Sequence, residues 1–219
     1  MIDNYNKLSI GKFRELQNID LQGMEDIDIQ VSIISILNDM AEDDVINLPL
    51  PEYKKLAQAT RFLSVPPQPL NTIPKKIVIG NREFYVVDDI RKMTAGQYID
   101  YQNYLSHKSE DYLPHILSCF VIPKGEKYGD SDISEIIELF NKELSIITAL
   151  SISSFFLRKW ESLTKATLTY LAWKMKRMMK KEQNPIVKEK MKEAMEKMTT
   201  FRSILKDGGG LLGLLGLKK

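Results

Sequence analysis

The chain has 219 residues, of which 43% are hydrophobic, 27% charged and 9% aromatic, and its formal net charge is +2. This composition excludes wholesale disorder and collagen-like repetition, and the length suits one large domain or two small ones. A single cysteine, Cys119, excludes an intramolecular disulfide and a cysteine-built zinc site.

Taken in chain order, Phe13 and Leu16 have the spacing of a short helix over 8–18. A clearer helix is predicted over 26–40, where Asp26 or Asp28 can cap and Ile29, Ile33, Ile36 and Leu37 fall at helical spacing. Glu42, Asp43 and Asp44 suit a helix N-terminus, where negative charge is favoured. Pro51 then suits the first position of another helix, in which Tyr53, Leu56, Ala57, Ala59, Phe62 and Leu63 form an apolar stripe. Pro66, Pro67, Pro69 and Pro74 mark a stiff linker over 65–75 and an expected subdomain boundary.

Residues 76–79 and 83–87 are rich in Ile, Val, Phe and Tyr and flank Gly80-Asn81, which predicts one β-hairpin. Thr94 and Gln97 have capping-box spacing at the start of a helix over 94–105. A second, more apolar helix is predicted over 111–122, followed by a loop over 123–130. Residues 133–181 read as two helices that meet near Leu144–Ser145 or Ser153–Ser154. Asn184-Pro185 breaks the pattern, and a last helix spans 186–205. The expected fold is therefore mainly α: a multi-helix chain with one small β-hairpin insertion and long basic C-terminal helices. Its segments are 1–64 (acidic and helical), the 65–75 linker, 76–157 (hairpin plus helices), 158–206 (basic, Met-rich) and a Gly/Leu tail at 207–219.

The charge is unevenly distributed. Residues 1–64 hold 6 basic and 11 acidic side chains, net −5; residues 65–157 hold 9 and 12, net −3; residues 158–219 hold 16 and 6, net +10. An acidic front and a basic back suit a contact with an acidic partner, or head-to-tail contacts between copies; a solvated helical face balanced against an acidic domain is the simpler reading. No basic segment followed by an apolar core opens the chain, and no apolar run of about 18 residues is present, so neither a secretory signal nor a membrane span is expected.

Few residues suggest chemistry. His107, Asp111 and His115 stand at four-residue steps, but Pro114 interrupts the helix that would align them as metal ligands. Cys119 stands among Ile116, Leu117, Phe120 and Val121, where a thiol is an inert small hydrophobe, although His115 lies four residues before it. The acidic groups at 25–28 and 42–44 are explained by helix caps more simply than by magnesium. Residues 123–127 lack the spacing of a phosphate-binding Walker loop. No catalytic, cofactor-binding or metal-ligating residue is assigned, and the expectation is of a protein that is not an enzyme.

The strongest candidate is a partner surface. Met175, Met178, Met179, Met191, Met195 and Met198 are interleaved with lysines, and Trp173 precedes them. Methionine repacks easily, so this pattern suits an adaptable groove for a partner helix or strand. Packing of the methionines within a helical hairpin is the simpler alternative. Contact with nucleic acid through phosphates is disfavoured, because aromatic residues for base stacking are missing beyond Trp173 and Phe201. The tail adds Leu211, Leu212, Leu214 and Leu215 as an apolar contact surface, with an unstructured terminus as the alternative.

One stretch carries a resemblance. Glu42-Asp43-Asp44-Val45-Ile46-Asn47-Leu48-Pro49-Leu50-Pro51-Glu52-Tyr53-Lys54-Lys55-Leu56, after the helix around Asp28–Leu37, resembles the small tail assembly chaperones of long-tailed bacteriophages. Asp88 to Asp100 is similar to uncharacterised structural or assembly proteins of gut-bacterial phages. The resemblance covers 8–63, and 76–130 more loosely; the basic C-terminal third has no counterpart. It implies a non-enzymatic helper that coats the tape-measure protein and recruits tail-tube subunits in the host cytoplasm during assembly, free of membranes. It also implies extension by ribosomal frameshifting, for which Gly208-Gly209-Gly210 would supply G-rich codons. The alternative is a virion component, such as a head–tail adaptor, ring or packaged internal protein, in which the charge split drives self-association.

Overall fold

The computed structural model describes residues 1–106 and 112–206. Nine α-helices and one three-stranded antiparallel sheet stand among them, so the fold is mainly α. The chain divides into two compact units, Met1–Ser153 and Ser154–Lys219. The proline-rich segment at which a boundary was expected thus lies inside the first unit. There the Leu70 backbone N–H donates to Ser151 Oγ at 2.8 Å, tying that segment to a distant helix.

The first unit opens with α1 (Ile10–Gln17), α2 (Asp26–Asn38), α3 (Glu42–Ile46) and α4 (Leu50–Ala59). Local capping sets their starts. Ser9 Oγ accepts from the Lys12 N–H at the head of α1. At α2 the cap is Glu25, one residue before the predicted start, and Asp28 Oδ2 accepts from the Glu25 N–H. Glu42, Asp43 and Asp44 occupy the first turn of α3, where they face its positive end. Ser32 Oγ donates to Glu42 across the α2–α3 junction at 2.5 Å. Val31, Ile34 and Val45 form a small core here, covered by Met40, Leu48, Tyr53, Leu56 and Ala57.

The predicted hairpin is present as β1 (Lys76–Ile79) and β2 (Arg82–Val86), with Ile77 opposite Phe84 and Ile79 opposite Arg82. Gly80 takes the positive φ of 56° that the tight turn requires, a conformation that glycine reaches without steric cost. The sheet corrects one expectation. The predicted helix over 111–122 stops at Ser118 (α6, Tyr112–Ser118), and β3 (Val121–Pro123) then pairs with β2, Phe84 opposite Pro123. Proline is tolerated there because β3 is an edge strand and needs no further N–H donation.

Before it, α5 (Ala95–Ser106) begins with the expected box: Thr94 Oγ1 accepts from the Gln97 N–H and Gln97 Oε1 accepts from the Thr94 N–H. After it come α7 (Ile133–Glu143) and α8 (Ile146–Met179), which break at Leu144–Ser145, the first of the two predicted points. The break has a structural cause. The Ile10 N–H donates to the Leu144 carbonyl at 3.1 Å and the Ile146 N–H to the Leu8 carbonyl at 2.7 Å, so the N-terminal segment pairs with the chain where the helix is interrupted. Packing of α7 against α1, α6 and β1 surrounds the fully buried Phe140, whose ring meets Phe84 edge-on at 5.6 Å.

Ion pairs lie on the surface. Arg82 bridges Glu126 and Glu135, and Glu83 is shared by Lys76 and Lys124. Asp89 is held by three hydrogen bonds from the Arg91 guanidinium, whose Nε is shared between both carboxylate oxygens, and one from its backbone N–H, which lower its pKa to about 2. A lowered carboxyl pKa favours the folded state above the ordinary carboxyl range and loses that effect as pH falls toward 2. The expected carbon-13 titration midpoint of Asp89 is about 2, and Arg91→Gln moves it up. An unmoved midpoint would contradict the pairing.

The second unit holds α8 beyond Ser153 and α9 (Pro185–Lys206). The turn between the two helices is built locally. Glu182 Oε1 accepts from the Gln183 and Asn184 N–H groups, and Asn184 Oδ1 caps α9 by accepting from the Ile186 N–H at 2.9 Å. Pro185 takes the first helical position, where its missing N–H costs nothing.

Candidate partner-binding surface

The second unit carries most of the sequence-assigned residues, and its exposure pattern sorts them. From Arg158 to Thr200 no described side chain is buried. Half-buried side chains form one stripe on each helix: Leu168, Ala172, Met175 and Met179 on α8, and Val187, Met191, Ala194, Met195 and Met198 on α9. The two stripes stand on either side of the turn at 180–184. Five of the assigned methionines therefore belong to the stripes. Met178, 47% exposed, and Trp173, 55% exposed, do not. Leu211, Leu212, Leu214 and Leu215 lie outside the described residues, as do His107 and Asp111.

A second face of α8 stands open. Leu163, Tyr170, Trp173 and Arg177 recur at helical spacing along it. Tyr170 and Trp173 are both more than half exposed, with ring centroids 6.1 Å apart, and the Arg177 guanidinium lies 5.7 Å over the Trp173 ring. Lys174, Lys176, Lys180 and Lys181 are exposed beside them. Aromatic rings paired with an arginine are the side chains that dominate binding energy at protein interfaces. Contact of the tilted rings with one another and with the guanidinium reduces the freedom left to lose when a partner binds. The sequence reading singled out Trp173 but passed over Tyr170. The three-residue step from Tyr170 to Trp173 and the four-residue step to Arg177 were the available signal.

The candidates for chemistry resolve differently. Cys119 is fully buried, and its thiol reaches the His115 backbone carbonyl at 3.6 Å rather than the imidazole. Burial is the main cause that pushes its pKa up to about 12. His115 stacks against Tyr104 with centroids 4.9 Å apart, and burial lowers its pKa. Held protonated and directed at a backbone carbonyl, the thiol does not supply the thiolate that nucleophilic catalysis needs. At pH 8 the folded protein is expected to react with a disulfide reagent about a thousandfold more slowly than the unfolded chain, because the thiolate is that much scarcer. A native rate near the unfolded one would contradict this burial.

Among the described residues no group of three His, Cys, Asp or Glu side chains is placed to hold a metal ion, and no helix is long and apolar enough to cross a membrane. No protein-family model, curated protein or solved structure matches the chain.

Proposed function

We propose that this chain is a non-enzymatic binding protein that receives an amphipathic, acidic helix of a client on the open face of α8. The observation that carries the reading is the Tyr170, Trp173 and Arg177 set, in mutual contact and exposed among lysines, on helices in which no described side chain from Arg158 to Thr200 is buried. The apolar rings supply the desolvated centre, and the lysine rim favours a partner of opposite charge.

Together with the resemblance of 8–63 to phage tail assembly chaperones, this makes the tape-measure protein the proposed client, with tail-tube subunits as a second contact, during assembly in the host cytoplasm. Tape-measure segments are long amphipathic helices, which lay an apolar face into such a surface. Tagged protein recovered from infected or co-expressing cells, treated with nuclease, is expected to carry a very long helical client and a tube protein, identified by mass spectrometry. Loss of these proteins on nuclease treatment would overturn the reading.

A second reading is favoured by a different surface. Ile27 on α2, Ile46 on α3 and Leu50 on α4 are each more than half exposed and stand beside Asp26, Asp28, Glu42, Asp43 and Glu52. An acidic, partly apolar surface on one unit and a basic, aromatic one on the other suit head-to-tail contacts between copies in a virion component. Purified particles containing the chain in whole-number stoichiometry would select that reading; particles that lack it select the chaperone.

A further inference from the structure

The first unit carries a half-open pocket of about 350 Å³, bordered by α5, β3, the 124–132 loop and α7, which the proposed function leaves unused. Asp100 and Tyr104 reach it from α5, one helical turn apart; Lys127 and Tyr128 reach it from the loop, and Ile133 and Ile136 from α7. Tyr128 donates its hydroxyl to Asp100 Oδ2 at 2.7 Å. Among the described residues Asp100 has no ion-pair partner, and its half-exposed carboxylate is left open to a cation beside that phenol.

We propose that this pocket is a binding site for a primary alkylammonium group. A carboxylate without a counter-ion attracts a cation. A cation also favours the electron-rich face of a tyrosine ring, and a phenol that donates to a carboxylate is richer still. Ile133 and Ile136 give the alkyl chain an apolar wall, so a short carbon chain ending in NH₃⁺ matches the lining better than a bare metal ion. Lys127 also borders the space, and its position decides between ligand charges. For a cationic ligand Lys127 is a competitor; for an anionic ligand it is the anchor.

The test uses the full-length chain with n-pentylammonium, the neutral 1-pentanol and the anionic pentanoate as probes, followed by calorimetry and amide chemical shifts. Pentylammonium is expected to bind with shifts at Tyr104 and Tyr128, and pentanol at least about tenfold more weakly, the ratio an unbalanced charge contact gives. Asp100→Asn is expected to weaken pentylammonium by about tenfold or more, whereas Lys127→Met tightens it. Because Lys127 is exposed, its variant keeps the test decisive if Asp100→Asn fails to fold. Equal or tighter binding of pentanoate, weaker pentylammonium binding in Lys127→Met, or no binding of any probe overturns the proposal. Blocked acetyl-lysine-methylamide separates the two sources of the group: binding as tight as pentylammonium identifies a lysine side chain of a partner polypeptide, and exclusion of it identifies a free amine. Either supports the site.

Discussion

Trp173→Ala is expected to abolish client recovery while the protein stays folded. The indole is 55% exposed, it contacts the tilted ring of Tyr170, and it carries the Arg177 guanidinium on its face. Truncating an aromatic anchor at the centre of an interface costs about 2–4 kcal/mol, or roughly thirty- to a thousandfold in affinity. The same change at so exposed a position leaves stability within about 0.5 kcal/mol. Tyr170→Ala is expected to act in the same direction, and the double variant to lose less than the sum, because the two rings support one another. Lys180→Ala, out on the rim, is expected to change the salt dependence more than the affinity. Circular dichroism and thermal melting, measured beside the pull-down, separate loss of binding from loss of fold. Full client recovery by Trp173→Ala would sink the assignment of this face.

The methionines make a poorer test. Glutamate at Met175 and Met179 places two charges on the half-buried stripe of α8. A charge at a half-buried position disturbs the local structure as well as any client site, so a lost client would not tell the two apart. Spacing alone finds the methionines because they recur at helical intervals. It cannot say which helical face is half-buried and which stands open, since that depends on contacts between residues far apart in the chain.

The same difference between local and non-local information explains what else was legible. The Thr94–Gln97 box, the Asn184-Pro185 break and the Gly80 turn are settled within a few residues, and each is where the sequence places it. Strand β3 is not local. Val121-Ile122-Pro123 follows an apolar helix directly, and its only mark as a strand is the β2 edge that it meets some 35 residues away in the chain. The Pro-rich segment reads as a linker because four prolines stiffen it; a hydrogen bond from Leu70 to Ser151 places it inside the first unit instead. The pocket was equally invisible. Asp100 and Tyr128 lie on separate elements, and no spacing rule joins them.

Phe140→Ala is expected to be the most destabilising single substitution in the first unit. Phe140 and Phe84 are each fully buried, one on α7 and the other on β2, and they meet edge-on at 5.6 Å. Their contact therefore joins the sheet to the helix that also packs on α1 and α6. Removing the ring forfeits its burial and leaves a cavity that rigid neighbours cannot fill, which together cost about 3–5 kcal/mol. For a unit of this size that corresponds to a fall of about 10 °C in melting temperature. Phe140→Leu keeps most of the volume and is expected to cost less than half as much. A double-mutant cycle with Phe84→Leu isolates the aromatic contact, expected at about 0.5–1.5 kcal/mol beyond the area buried. The pairing also sets which transition moves: calorimetry of Phe140→Ala is expected to show the first unit's transition shifted down by about 10 °C. An alanine variant that melts within about 2 °C of the parent, less than 1 kcal/mol on this scale, would mean that α7 and the sheet do not share this core.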